Sequence, residues 1–276
     1  MAKAFSVASW NVEHFKNVGA TNEERVAFLA SQQPDVVAIY EVEGSEVWRE
    51  LMDGMPGYSF FITEGHNTQE ILLGTAPGVT AFVTQKVEFQ SRDAFMRPGA
   101  LLTVRDDNVD YTLLFLHVAS MPAARGFGLR ADMLERAFDF KVDVLDKLTE
   151  NKTNFIVLGD LNTMGLDYVY GRVGASRKLR HARVEARQEI ARLTFLAEES
   201  GMRLLEKTHP VTWRDGGRRR SNLDHVIASQ SLKFKKFGGA EVDVRGWPTL
   251  ATDAEQKTWI SRFSDHALLY FEVQKP

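Results

Sequence analysis

Asp160 and Asn162 stand two residues apart in the stretch FIVLGDLNTMG, where four apolar residues run into Gly159 and an acid, an amide and a hydroxyl follow. Gly, Asp and Asn also make plain turns for local reasons, so this stretch alone leaves the choice between turn and site open. The pattern recurs along the chain. SVASWNVEH ends an alternating run at Asn11, VVAIYEVEG ends an apolar run at Glu41, and LLFLHVAS ends another at His117. SNLDHVIAS and FSDHALLYFEV place Asp224, and then Asp265 with His266, at the start of apolar runs. Polar groups at the ends of separate strands can converge on one rim of a sheet, which is where open α/β folds put their sites.

Carboxylates in a chain with no cysteine suit a hard cation that takes oxygen ligands. Mg2+ is usually held by one or two carboxylates together with waters and substrate phosphate oxygens, and Glu41 and Asp265 are the candidates. An Asp and a His beside a bound phosphate can orient and deprotonate an attacking water while the metal stabilises developing negative charge. That chemistry is phosphoester hydrolysis.

Such a rim needs strands that end at a common level. Apolar runs predict strands near Phe5 to Trp10, Val36 to Tyr40, Val79 to Val83, Leu101 to Val104, Tyr111 to Leu116, Phe155 to Leu158, His225 to Ala228 and Ala267 to Val273. Amphipathic segments lie between them, the pattern of an α/β protein. Thr21 with Glu24 has the form of a capping box ahead of a helix carrying Val26, Leu29 and Ala30, and a second helix is expected around Val47, Trp48 and Leu51. The clearest helix runs from Arg130 to Thr149, with Met133, Leu134, Ala137, Phe138, Val144, Leu145 and Leu148 in one core-facing stripe. Gly171 to Ala197 reads as helical and basic, carrying Arg172, Arg177, Lys178, Arg180, Arg183 and Arg187.

The totals bound the answer. Hydrophobic residues at 44% and charged residues at 26% argue against membrane spans and against disorder. Lys and Arg total 34 against 37 Asp and Glu, so any site for a polyanion must be local. With no linker, repeat or low-complexity tract, one domain over residues 1–276, built from two similar layers, is the economical reading. The start, MAKAFSVASW, lacks the apolar run of a secretory signal, and a cytoplasmic protein with no membrane association and no obligate protein partner is expected.

The ordered set SWN, YE, LH, GDLN, LDH and SDH resembles the endonuclease/exonuclease/phosphatase superfamily, with anchors spanning Asn11 to His266. That superfamily includes pancreatic-type deoxyribonucleases, abasic-site endonucleases, sphingomyelinases and inositol polyphosphate phosphatases. The resemblance implies a four-layer α/β/β/α sandwich, two packed β-sheets with helices on the outer faces, and one divalent metal site, Mg2+ or Mn2+, at one end. It implies that Glu41, Asp265 and Asn11 serve the metal, that Asp160 orients or activates water, and that Asn162 contacts the phosphate. His266 paired with Asp224 would act on the phosphate or the water. His117 falls where deoxyribonuclease-like members carry a second histidine, a candidate acid for the leaving oxygen, and Arg97 matches a phosphate-facing arginine. Tyr40 replaces the Gln that often precedes the metal glutamate. Asn222-Leu223-Asp224-His225 replaces the Trp-Cys-Asp-Arg element of inositol phosphatases, and Ser221 and Asn222 stand where abasic-site enzymes tend to carry an aromatic residue. Both departures point away from those branches.

Among the remaining polar residues, Glu13 and Glu43 are expected at the surface or supporting the site, and His225 should face away from Asp224 on its strand. His14, His66, His181 and His209 are read as surface residues. The basic segment together with Arg214, Arg218, Arg219 and Arg220 in WRDGGRRRSNLDH would form a basic lip for a nucleic-acid backbone, with Trp213, Tyr168 and Tyr170 either stacking on bases or packing. The leading expectation is a Mg2+-dependent nuclease acting on DNA, with RNA second. The alternatives are a phosphatase or phosphodiesterase acting on a small or lipid-linked ester, and a non-catalytic module that keeps the fold.

Overall fold

The computed structural model describes residues 2–16, 20–43, 47–65, 69–90, 97–150, 152–173 and 178–276. His66, Arg177 and the side chains of Arg172 and Lys178 lie outside the described set. The first half comprises β1 (Lys3–Phe15), α1 (Ala20–Ser31), β2 (Val36–Val42), α2 (Trp48–Gly54), β3 (Ser59–Ile62), β4 (Glu70–Thr75), β5 (Thr80–Lys86), β6 (Gly99–Asp106), β7 (Val109–His117), α3 (Ala124–Asp139) and α4 (Asp146–Leu148). There follow β8 (Phe155–Asp160), β9 (Leu166–Val173), β10 (Lys178–Val184), α5 (Ala186–Glu199), β11 (Met202–Leu204), β12 (Trp213–Arg214), β13 (Arg220–Ser221), β14 (Asp224–Ser229), β15 (Asp243–Arg245), α6 (Asp253–Arg262) and β16 (Leu268–Gln274).

Two six-stranded sheets run in the orders β15-β16-β1-β2-β4-β3 and β11-β14-β8-β7-β6-β5. Alternation along each strand divides its residues between two cores. Phe5 and Val7 of β1 and Val36, Ala38 and Tyr40 of β2 meet Leu113 and Phe115 of β7 and Ile156 and Leu158 of β8 between the sheets. The residues between them, such as Ala8, Trp10, Val37 and Ile39, face the other way onto Val26 and Leu29 of α1 and Leu51 of α2. On the second sheet, Leu114, Leu116, Val157 and Ile227 pack under Met133, Ala137 and Phe138 of α3 and Leu193 and Ala197 of α5. The result is the α/β/β/α sandwich, with apolar burial of about 1.5–3 kcal/mol per large side chain holding the layers together.

All of the expected strands are present, and β3, β4, β9 to β13 and β15 are added to them. Three expectations are corrected. The basic segment is not one helix: 166–173 and 178–184 form an antiparallel hairpin, and α5 starts at Ala186. The stripe of the Arg130 to Thr149 helix is broken because Phe140–Leu145 winds as a π-helix. Its wider turn shifts the phase of the last residues of the segment, so Val144 and Leu148 are 41% and 76% exposed while Lys141 is buried. Thr21 lies inside α1, which has begun by Ala20. A reciprocal capping box forms instead ahead of α6, where Glu255 N donates to Thr252 Oγ1 at 3.2 Å and Thr252 N to Glu255 Oε2 at 2.9 Å.

Candidate active site

The same alternation that fills the inter-sheet core delivers polar side chains at its end. Following Leu113 and Phe115, His117 is the next inward residue of β7; following Ile156 and Leu158, Asp160 is the next on β8; Asp224 precedes Val226 on β14. Register then aligns them, since Asp160 is paired with His117 on the parallel strand and with Asp224 on the antiparallel one. Gly159 makes this approach feasible. Its φ is +136°, and a Cβ there would lie 2.1 Å from the Leu116 carbonyl and 2.8 Å from the Tyr40 hydroxyl.

From the facing sheet, Asn11 donates through Nδ2 to Asp160 Oδ2 at 3.0 Å and to Glu41 Oε1 at 3.1 Å, while its Oδ1 accepts the Glu13 N–H at 3.1 Å. The amide thus joins two carboxylates carried by opposite sheets. Glu41 reaches this point because its backbone is left-handed, φ +62°, which breaks the alternation that would have turned it outward. His117 Nε2 lies 3.5 Å from Asp160 Oδ2 and 3.8 Å from Glu41 Oε1. His117 Nδ1 is buried without a partner, so the proton belongs on Nε2, the nitrogen that faces both acids.

His266 is held on all sides. Its N–H donates to Ser264 Oγ at 3.0 Å, Ser264 Oγ donates to the Asn11 carbonyl at 2.7 Å, and the Trp10 indole donates to the His266 carbonyl at 3.0 Å. Nδ1 is 2.9 Å from Asp224 Oδ2, leaving Nε2 3.7 Å from Asp160 Oδ2 and 3.9 Å from Asp265 Oδ1. Asp265 Oδ2 accepts the Trp213 indole N–H at 2.6 Å. Asn162, at φ +44°, gives its backbone N–H to Asp160 Oδ1 at 3.1 Å and its Nδ2 to the Val118 carbonyl at 3.1 Å.

These contacts set the charge states. Burial, reinforced by Asp224, pushes the Asp160 carboxyl up to about 7 despite the opposing pull of His266 and Asn11. Burial also raises Asp265 to about 6, with Glu13 and Glu41 adding to it and His266 opposing. Burial would lower His266, but Asp224 and Asp160 outweigh it and hold the imidazole near 10. His117 goes the other way, well below its ordinary value, because burial is joined by the positive charges of Arg97 and His266. The site therefore contains a cationic His266 and a neutral His117 on either side of Asp160.

All of this opens into a cleft of about 820 Å³, whose walls include Glu41, His117, Asp160, Asn162, Asp265 and His266. Arg97, Arg218, Arg219 and Arg220 line it as well. A divalent cation fits this donor set: Asp160 and Asp265, whose proton affinity is raised by burial and by neighbouring carboxylates, are groups that a cation would relieve. Asp160, Asp224 and His266 offer ligand atoms within 4.8 Å of one another, although the Asp224 and His266 atoms already satisfy each other.

The sequence profile of the Endonuclease/Exonuclease/phosphatase family matches residues 8–266. The chain belongs to this family. Its members are metal-dependent phosphoester hydrolases, and this chain is one of them. No curated relative matches it by sequence. Among solved structures it is similar to D. rerio TDP2 complexed with a single strand DNA product, with a TM-score of 0.67 at 15% identity over 98% of this chain and 99% of that one. Truncated C. elegans TDP2 gives 0.62 at 15% identity over 98% and 97% of the two chains. The endonuclease/exonuclease/phosphatase from Bacteroides vulgatus gives 0.61 at 12% identity over 99% of each. At these identities the likeness is one of fold.

Asn11, Glu41, Arg97, His117, Asp160, Asn162, Asp224, Asp265 and His266 are thus brought to one place in this family member, with Arg218, Arg219 and Arg220 beside them. Arg214 is not part of the lip. It is 1% exposed and donates to the Gly217 carbonyl and to Asp253 and Gln256. Arg180, Arg183 and Arg187 do not line the cleft either, and Arg187 pairs with Glu185 at 2.6 Å. Tyr168 and Tyr170 are exposed on the hairpin, whereas Trp213 is a cleft wall. His225 faces away as expected, its Nε2 2.8 Å from Thr163 Oγ1. His209 is half-buried edge-on against Trp247 instead of lying at the surface. Sequence reasoning missed Ser264, although it sits inside the FSDH stretch itself, and it missed Thr212, whose Oγ1 accepts the Asp224 N–H at 3.0 Å. Nothing around Thr212 signals that role.

Proposed function

We propose that this enzyme is a Mg2+-dependent phosphodiesterase that hydrolyses DNA, working as one domain across residues 1–276. The observation that carries the reading is the meeting, in one cleft, of the Asp160, His266 and Asp224 cluster with the Glu41 and Asp265 carboxylates and with arginines on the walls.

Glu41, steadied by Asn11, and Asp265, steadied by Trp213, are the residues to hold Mg2+ or Mn2+, which when bound supplies Lewis acidity at the phosphoryl oxygens. Asp160, poised at about 7, takes the proton of the attacking water. His266, kept cationic by Asp224, donates Nε2–H to a phosphoryl oxygen as a charge-assisted hydrogen bond. One N–H of the Asn162 amide goes to Val118, and the other is left for the phosphate. The neutral His117 offers Nε2–H to the leaving oxygen, and Arg97 neutralises the substrate phosphate.

Nucleic acid as the partner is supported by three consecutive exposed arginines on the cleft, by the exposed Tyr168, Tyr170, Arg180 and Arg183 of the hairpin, and by the fold shared with a TDP2 solved with a single strand DNA product. The reading assigns the activity to the cytoplasm. Among the described residues no helix is long and apolar enough to cross a membrane. A small or lipid-linked phosphoester is the second reading, favoured by the cleft volume of about 820 Å³, which suits a small ligand.

The deciding experiment compares wild type with Asp160→Asn, with Mg2+ and with chelator, on supercoiled plasmid, labelled single-stranded RNA and a small chromogenic phosphodiester. Metal-dependent nicking of plasmid that disappears in the variant is expected. Activity confined to the small ester would overturn DNA as the substrate.

A further inference from the structure

Behind the cleft, two outer helices meet at a buried ion pair. Arg130 of α3 is 0% exposed and Glu189 of α5 is 6% exposed. Arg130 Nε donates to Glu189 Oε1 at 2.8 Å and Nη2 to Glu189 Oε2 at 3.2 Å, a bidentate pairing. The remaining donors all go to main-chain carbonyls: Nη1 to Ala119 at 3.3 Å and Met121 at 2.8 Å, and Nη2 to Gly165 at 2.7 Å. Every guanidinium N–H is thereby used. Glu189 Oε2 also accepts the Gly165 N–H at 2.6 Å. Gly165 has φ +81°, and a Cβ there would lie 2.2 Å from the Val184 carbonyl, so the position is closed to other residues.

The gripped carbonyls belong to the two loops that wall the cleft. One follows His117 and carries Ser120; the other begins at Asp160, carries Asn162 and Met164, and ends at Gly165. Asn162 Nδ2 already ties the second loop to the first through Val118 O at 3.1 Å. Arg130 and Glu189 tie the same two loops a second time, from the helix side. Asn162 takes a left-handed backbone, φ +44°, a turn conformation asparagine tolerates, and so the direction of its amide depends on how the loop is held on either side. A buried ion pair is also a poor device for stability alone, since an apolar pair of similar volume often does as well or better.

We infer that Arg130 and Glu189 are positioning residues that set the separation of the two cleft loops and so aim the Asn162 amide at the substrate phosphate. The inference rests on phosphoester hydrolysis at Asp160, and not on DNA being the substrate.

The test uses the full chain with Arg130→Met and Glu189→Met combined, which removes both charges and strands neither. Amide hydrogen exchange is followed over 117–121 and 160–165, and Michaelis parameters are measured on a small chromogenic phosphodiester. Exchange in both loops should accelerate together by about tenfold while β14 keeps its protection. KM should rise about tenfold, a change that a mere loss of folded enzyme would not produce because it lowers only the apparent kcat. Arg130→Lys is the second variant: it keeps the charge, but a point donor cannot serve three carbonyls and a carboxylate at once, and it should move both readouts in the same direction. If the double variant does not fold, Arg130→Lys decides. Unchanged KM with unchanged exchange, or loosening of one loop without the other, overturns the inference. Wild type inactive on every phosphoester would sink the functional reading instead, and the exchange result would then uphold or overturn the coupling of the loops by itself.

Discussion

His117 and Asp160 are register partners on the parallel strands β7 and β8, with His117 Nε2 3.5 Å from Asp160 Oδ2. Asp224 takes the register position on the other side of Asp160 and holds His266. One carboxylate is therefore flanked by a neutral imidazole and by an acid that keeps a second imidazole charged. Burial, with Asp224 adding to it and His266 opposing, raises that carboxyl to about 7, and the cluster can be tested through this balance.

Activity should follow a bell in pH. Asp160, raised to about 7, works only when ionised, so kcat/KM should climb as pH rises through that value. His266, raised to about 10, works only when protonated, so activity should fall as pH passes that value. The two limbs report the coupled cluster rather than single residues, and a bound cation moves the acid limb lower. A pH–rate profile at saturating metal checks this. Activity that declines steadily on going from acid to neutral would refute it.

Asp224→Asn should bring the alkaline limb down toward neutrality, because the acid that outweighs burial at His266 is gone. At neutral pH the expected loss in kcat is roughly 10²- to 10⁴-fold, the range for a general acid–base contribution. The same profile repeated on the variant is the measurement. An alkaline limb that stays near 10 would mean that Asp224 does not control the imidazole.

Replacing Arg218, Arg219 and Arg220 together with Ser should weaken oligonucleotide binding and flatten its salt dependence. Three lost phosphate contacts correspond to about 2 units of log–log slope on single-stranded DNA. Turnover of a small phosphodiester should be unchanged. Titrations at several salt concentrations decide the matter, and an unaltered slope would return these arginines to the status of solvated surface.

Gly159→Ala should be among the most damaging single substitutions in the chain. The new methyl group meets the Leu116 carbonyl and the Tyr40 hydroxyl at a backbone angle that side chains rarely adopt. A loss of about 3 kcal/mol or more is expected from strain and overpacking together. Urea denaturation of the purified variant measures it, and a midpoint equal to wild type would show that β7 and β8 can separate at no cost.

The polar rim of the cleft was legible because it is written in the period of two. The parity that buries Phe115, Leu158 and Val226 also places His117, Asp160 and Asp224 on the same face, and the apolar runs bounded by those residues are visible in one dimension. Glu41 escapes that rule through its left-handed backbone, so its place at the end of an apolar run marks it as a candidate although strict alternation would turn it outward. Arg130 was hidden for a different reason: a charged residue on an amphipathic helix ordinarily reads as solvated, and its partner lies 59 residues further along. Arg214 looked like its neighbours in WRDGGRRRS, and only its pairing with Asp253 and the Gly217 carbonyl separates it from them. In the hairpin, basic residues at mixed spacing conceal the alternation of strands and mimic a helix face.

The pairing of β1 with β16 governs the order in which the centre can assemble during synthesis. Asn11 leaves the ribosome 253 residues ahead of Ser264, which holds its carbonyl, and Asp265 and His266, which complete the rim, come directly after that serine. A nascent chain can stack β6, β7 and β8 early, but Asp265 and His266 come beside Asp160 and Asp224 only when β16 pairs with β1. The cleft is therefore closed by one of the last strands to be synthesised, and its two sides are joined across nearly the whole length of the chain.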